Sequence, residues 1–121
     1  MGKIILHADD SAAVRRWVAE QLSDEEIKVV SVADGDIALK FLREASYDLL
    51  LTDLEMPNLD GLALASAVRE IPGYRFLPIL VLSSRKPTEV DSGRRQAVTG
   101  WIVKPTDPDQ LRRFVKRSLP R

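Results

Sequence analysis

The 121-residue sequence predicts a doubly wound α/β domain, five parallel strands alternating with five helices that cover both faces of the sheet. Two observations carry that reading. Short apolar runs, brief and rich in Ile, Leu and Val, recur along the chain without polar alternation, as suits strands covered on both faces. Between them lie stretches whose apolar residues fall at helical spacing. No linker, repeat or low-complexity segment interrupts the pattern, so residues 1–121 are read as a single domain.

The first strand is KIILHA (3–8), and the helix after it takes Ser11 as its cap and Val14, Trp17, Val18 and Leu22 as its inner face. IKVVSV (27–32) follows, then a helix with Ile37, Phe41, Leu42 and Ala45 on one side. DLLLTD (48–53) is the third strand, and Leu64, Val68 and Ile71 mark the next helix. After LPILVL (77–82), residues 87–97 are the weakest helical stretch, with few apolar positions and an internal glycine. GWIVK (100–104) closes the sheet. The last helix has the clearest start: Asp107 at the cap, Pro108 at the first helical position, Gln110 completing a capping box, then a stripe of Leu111, Phe114, Val115 and Leu119.

Composition excludes several classes. Eighteen basic and eighteen acidic residues cancel, so no charge imbalance argues for nucleic acid or a membrane surface. The most basic stretch, Arg112, Arg113, Lys116 and Arg117, reads as the wet face and carboxyl end of a helix. With no cysteine and one histidine, disulfides, thiolate metal sites and His-rich metal sites are excluded. The amino-terminal apolar run meets acidic residues too early for a signal peptide, and no run reaches the ~20 residues of a membrane span. The expected location is the cytoplasm.

In doubly wound sheets ligands bind outside the carboxyl ends of the strands. The first strand ends in Asp9 and Asp10, the third in Asp53, the fourth in Ser83 and Ser84, and the fifth in Lys104 and Pro105. Packing does not require three carboxylates on one edge, and they repel unless something positive sits among them. With no thiol available, the natural counterion is a hard divalent cation with oxygen ligands, Mg²⁺. Each residue alone has a plainer reading: Asp10 as a helix start, Asp53 as a turn aspartate, Ser83 as an ordinary strand end, Lys104 as a solvated lysine. Their joint occurrence at four strand ends argues against those readings.

ADDS, LLLTDLEMPNLDGL, ILVLSS and TGWIVKP, in this order and spacing, resemble the signature blocks of the response-regulator receiver domain. The likeness covers essentially the whole chain. It implies a sheet in the order 2-1-3-4-5 and a phosphorylatable signalling switch rather than an enzyme, with Asp53 as phosphoacceptor. It further implies that Asp9, Asp10, Asp53 and the backbone carbonyl of Glu55 hold Mg²⁺, and that Lys104 pairs with the phosphoryl oxygens. Ser83 would donate its hydroxyl to the aspartyl phosphate and pull on the switch, and the Lys104–Pro105 bond would be cis. The implied phosphodonor is a histidine kinase or phosphotransfer domain. The implied reader is a downstream protein on the surface of residues 87–119, since no output domain follows the last helix. TGWIVKP looks most like chemotaxis-type receivers; a receiver taken from a hybrid kinase or a longer regulator shares the same residues.

Two positions depart from the family pattern. Trp101 stands where the switch aromatic is usually Tyr or Phe, and an indole needs a partner for its N–H. His7 stands at a usually aliphatic position and is expected to be a satisfied histidine, either in the core or supporting the site residues from behind. Glu55 and Arg85 flank the cleft mouth with opposite charges. A Mg²⁺-dependent phosphohydrolase with an Asp nucleophile is the competing reading, but Asp53 is not followed by the Asp-x-Asp-x-Thr pattern and lies after the third strand rather than the first.

Overall fold

The computed structural model describes residues 2–120. Five parallel strands, β1 (Lys3–Ala8), β2 (Ile27–Val32), β3 (Leu49–Thr52), β4 (Ile79–Ser83) and β5 (Gly100–Val103), form one sheet in the order β2-β1-β3-β4-β5. Four α-helices join or follow them: α1 (Ala12–Leu22), α2 (Gly35–Glu44), α3 (Gly61–Arg69) and α4 (Pro108–Ser118). Successive strand residues point to opposite faces, and the unbroken apolar runs fill both. Ile5, Leu49, Leu51, Leu80, Leu82 and Ile102 pack on α1 and α4 through Val18, Leu22, Leu111 and Val115. On the other face Leu6, Leu50 and Ile79 meet Ala38 and Leu42 of α2 and Leu64, Ala65 and Val68 of α3.

All four helices start with a side-chain cap that satisfies one of the free first-turn N–H groups. Ser11, Asp34, Asp60 and Asp107 accept from the backbone N–H of Val14, Ile37, Ala63 and Gln110 respectively. The stripe of α2 is rotated from its expected position: Ala38 and Leu42 are buried, whereas Ile37 is 38% exposed and Ala45 lies past the helix end in solvent.

The fifth helix expected over residues 87–97 does not form. Two 3₁₀ turns, Pro87–Glu89 and Ser92–Arg95, take its place. No residue from Ser84 to Thr99 is buried, so the segment has no apolar stripe to stabilise helical turns. No helix among the described residues is long and apolar enough to cross a membrane.

Candidate functional site

The sheet delivers its polar residues to one edge. β1 runs in register with both β2 and β3, so Asp9 and Asp53 emerge side by side just after paired Ala8 and Thr52. Asp9, Asp10 and Asp53 each present a carboxylate oxygen within 4.8 Å of the others. Asp9 is buried, Asp53 half-buried and Asp10 exposed. The Lys104–Pro105 peptide is cis, and Lys104 Nζ stands 3.8 Å from Asp9 Oδ2 and 4.0 Å from Asp53 Oδ1. Ser83, also buried, ends β4 and accepts the backbone N–H of Arg85 at 3.1 Å.

Backbone contacts fix Asp9 and Asp53. Asp9 Oδ1 accepts the N–H of Ser11 at 2.8 Å, and Asp53 Oδ1 accepts that of Leu54 at 2.8 Å. Thr52 Oγ1 donates to the Asp53 carbonyl at 2.8 Å, while Gly61 lies so close that a Cβ there would meet the same carbonyl oxygen at 2.2 Å. Only glycine permits that approach. Burial pushes the Asp9 carboxyl above the usual range, opposed by the Ser11 N–H and by Lys104. Burial raises Asp53 as well, and the neighbouring Asp9 charge raises it further against the pull of Lys104.

This edge therefore carries more negative charge than Lys104 balances. Asp9 Oδ2 is buried with no hydrogen-bond partner among the described residues. An orphaned buried carboxylate oxygen, in a donor set made wholly of oxygens, fits a hard divalent cation such as Mg²⁺.

The residues at the mouth are joined. Arg85 Nε lies 3.0 Å from Glu55 Oε1, both side chains being largely exposed. Trp101, half-buried on β5, packs near Leu54, Leu62 and Val81 and donates its indole N–H to the Arg85 carbonyl at 2.8 Å, the partner its larger ring needs. His7 corrects the expectation of a satisfied core histidine. It is fully buried, and neither ring nitrogen has a hydrogen-bond partner among the described residues. Burial, with the Lys104 and Arg15 charges, holds its pKa down to about 3, so the ring is neutral.

Sequence reading missed Arg15, whose Nη1 donates to the Asp9 carbonyl at 2.8 Å from the first turns of α1. It also missed the pair between Arg94 and Asp60, in which Nη2 donates to both carboxylate oxygens at 2.8 and 3.0 Å. Neither leaves a local sequence signal, because each joins chain segments through side chains whose direction only the fold sets.

A doubly wound sheet in this strand order, with an acidic cluster and a lysine at its carboxyl edge, defines the class of CheY-like α/β domains. The family model described as the response regulator receiver domain matches residues 5–116, and the chain belongs to that family. It is a receiver domain of two-component signalling. The chain is 34% identical to the chemotaxis response regulator CheY4 of Vibrio cholerae, with a TM-score of 0.90, over 98% of this chain and 100% of that one. It is 29% identical to the response regulator TrrA of Thermotoga maritima, solved in complex with Mg²⁺-BeF, with a TM-score of 0.86 over 97% and 99% of the two chains. It is also 32% identical to part of the sensor histidine kinase CheAY of Helicobacter pylori, over 96% of this chain and 15% of that protein.

Proposed function

We propose that this chain is a phosphorylatable switch that accepts a phosphoryl group on Asp53, and that residues 1–121 act as one receiver unit. The observation that carries the reading is the cluster of three carboxylates within 4.8 Å around Lys104, with one buried oxygen left unpartnered. Asp9, Asp10, Asp53 and the Glu55 carbonyl would hold Mg²⁺. When bound, the metal supplies neutralisation of charge on the transferred phosphoryl oxygens. The Mg²⁺-BeF complex of TrrA, a relative of the same fold, supports that assignment.

The chain's own residues do the rest. β3 is an apolar rod, buried at every residue from Leu49 to Thr52, which fixes Asp53 at the floor of the cleft. Phosphoryl transfer asks a protein mainly for positioning and charge stabilisation; β3 would supply the first, and Lys104 together with the bound metal the second. Lys104 takes the phosphoryl oxygens as a point charge. Ser83 gives its hydroxyl proton to the aspartyl phosphate while its oxygen keeps the N–H of Arg85 that it accepts at 3.1 Å, and so draws on the segment that follows. Trp101, tied to the Arg85 carbonyl, carries that shift to the surface of residues 87–119, where a downstream protein reads it.

The donor is a histidine kinase or phosphotransfer domain, and the likeness to CheY4 supports a stand-alone chemotaxis-type receiver. The likeness to a segment of CheAY favours the second architecture, a receiver within a longer kinase. Intact-mass measurement after incubation with phosphoramidate and Mg²⁺ tests the central reading. One phosphoryl group should be gained, then lost in Asp53→Asn and strongly slowed in Asp10→Asn. No gain by wild type overturns the reading; steady turnover of a phosphomonoester moves it to the phosphohydrolase class.

A further inference from the structure

Beside the acidic cluster lies a cavity of about 440 Å³ walled by Val14 and Trp17 of α1, Leu82 of β4 and Pro105. Its surface is mostly apolar, and Lys104 and Ser84 belong to its lining. Lys104 therefore serves two spaces. Its charged end reaches Asp9 and Asp53 at 3.8 and 4.0 Å, and its alkyl stem suits the apolar wall. Ser84 directly follows Ser83 of the site. Trp17 is half-buried and packs against the core cluster that includes Val18 and Leu22.

We propose that this cavity is the subsite for the leaving group of a small phosphodonor, and that it selects donors whose leaving group is a flat apolar ring, such as an aryl carboxylate. The inference rests on Asp53 being the phosphoacceptor. In-line transfer sets the donor's bridging oxygen opposite Asp53, on the side of the mouth at Glu55 and Arg85; from there the acyl group turns across Lys104 into the space whose lining Lys104 shares. That space falls within the ~300–1,000 Å³ range of small-molecule pockets, and an acetyl group leaves most of it unfilled. An aryl ring covers the Trp17 and Val14 wall and removes apolar surface from water.

The chemistry balances without a further reactant. An Asp53 carboxylate oxygen forms a bond to phosphorus as the bond from phosphorus to the acyl oxygen breaks. The electron pair leaves with that oxygen as a free aryl carboxylate, and total charge is conserved. Lys104 lies near both the phosphoryl oxygens and the departing carboxylate, and no proton transfer is needed.

The test compares benzoyl phosphate with acetyl phosphate at equal concentration and Mg²⁺, reading the rate of mass gain on Asp53. Wild type should prefer benzoyl phosphate by about ten-fold, the discrimination a hydrophobic pocket provides. The ratio should fall toward one in Trp17→Leu. In a second measurement needing no variant, phenylphosphonate should shift the Trp17 indole N–H resonance and leave that of Trp101 unmoved. Mass gain at similar rates from both donors, or a ratio unchanged in Trp17→Leu, overturns this inference and leaves Asp53 as phosphoacceptor. Similar rates with an unmoved Trp17 indole also overturn it, and assign the cavity to an apolar side chain of a protein donor. No mass gain from either donor overturns both readings.

Discussion

Two crossovers of the same sheet are held in opposite ways. Between β3 and β4 the chain forms α3, in which Gly61, Leu62, Leu64, Ala65 and Val68 are buried. Between β4 and β5, no residue of 84–99 is fully buried, only Val90, Ala97 and Val98 pack partly on the core, and the chain makes two 3₁₀ turns. Charged and polar links fasten this second segment: Arg94 to Asp60, Arg69 to the Ala97 carbonyl at 2.7 and 3.2 Å, and Arg85 to Glu55 at 3.0 Å. Burial is indifferent to salt and falls apart only with the whole core; exposed ion pairs are weak and screened. A receiver needs one part that stays and one that moves. Under the proposed function the Asp53 loop adjoins the first kind of crossover and the reading surface would lie on the second, and the two ion pairs join them.

The largest expected effect contrasts the two directly. Leu64→Ala, at a fully buried site, should cost about 2–5 kcal/mol in urea unfolding. Val90→Ala, at a half-buried site of the 84–99 segment, should stay within about 1 kcal/mol. Equal costs would mean that the second crossover is held by burial after all.

Gly61→Ala should rank next. Its Cβ would stand 2.2 Å from the Asp53 carbonyl oxygen, a backbone contact that cannot yield without moving the acid. The expected loss is about 1–3 kcal/mol, with phosphorylation slowed far more than stability explains, since a misplacement of about 1 Å can cost a hundred-fold in rate. A variant that phosphorylates at the wild-type rate would show the site to be tolerant where it looks rigid.

His7 allows a test of the rigid half by pH. Its folded pKa of about 3 lies below the 6.5 of an ordinary histidine, so the unfolded chain takes up a proton that the fold refuses. The stability it permits is complete above pH 6.5 and is lost as pH falls toward 3. Asp9 and Asp53, raised by burial, act in the opposite sense, because the fold takes their protons before the unfolded chain does. A comparison of variants isolates the histidine. His7→Leu should stabilise the protein, by removing two unpartnered buried nitrogens, and the gain should be about 2 kcal/mol larger at pH 5 than at pH 7. A gain that does not grow on acidification would place a hydrogen-bond partner on the ring.

The same division explains what the sequence made legible. Burial writes itself into local patterns: the apolar runs gave all five strands, and the caps Ser11 and Asp107 were readable from residue type and spacing. The convergence of Asp9, Asp10, Asp53, Ser83 and Lys104 was legible for a related reason, since they lie at the ends of strands of one sheet and the sheet alone brings them together. Residues 87–97 misled because a segment without an apolar stripe takes its shape from distant charges such as Asp60 and from Arg69, which no window of sequence contains. His7 misled for the converse reason. Its burial was foreseeable from a strand in mid-sheet, but whether its nitrogens find partners depends on every neighbour at once.

The smallest expected effect on stability concerns the Glu55–Arg85 pair, and it bears on how long the signal lasts. Hydrolysis of an aspartyl phosphate needs a water in line with phosphorus, entering past the side chains at positions 55 and 85. With side chains 69% and 53% exposed, the pair is worth about 0–1 kcal/mol, so breaking it leaves unfolding nearly unchanged. The same energy weighs more in kinetics. A lid closed by up to 1 kcal/mol is open in a minority of molecules, and removing it speeds decay by up to about five-fold. The expected order is that Glu55→Gln and Arg85→Ala each shorten the phosphorylated lifetime, and that the double variant adds little, since either change alone opens the lid. Wild-type decay should also quicken as salt screens the pair, while the variants lose that dependence. Trp101 sharpens the expectation. Its hydrogen bond to the Arg85 carbonyl, at 2.8 Å, holds the backbone from which the arginine reaches Glu55. Trp101→Phe should therefore weaken the lid without touching either charge, and retain part of the salt dependence. Decay that is unchanged or slower in both single variants would rule the lid out and leave the pair as a surface contact between the two crossovers.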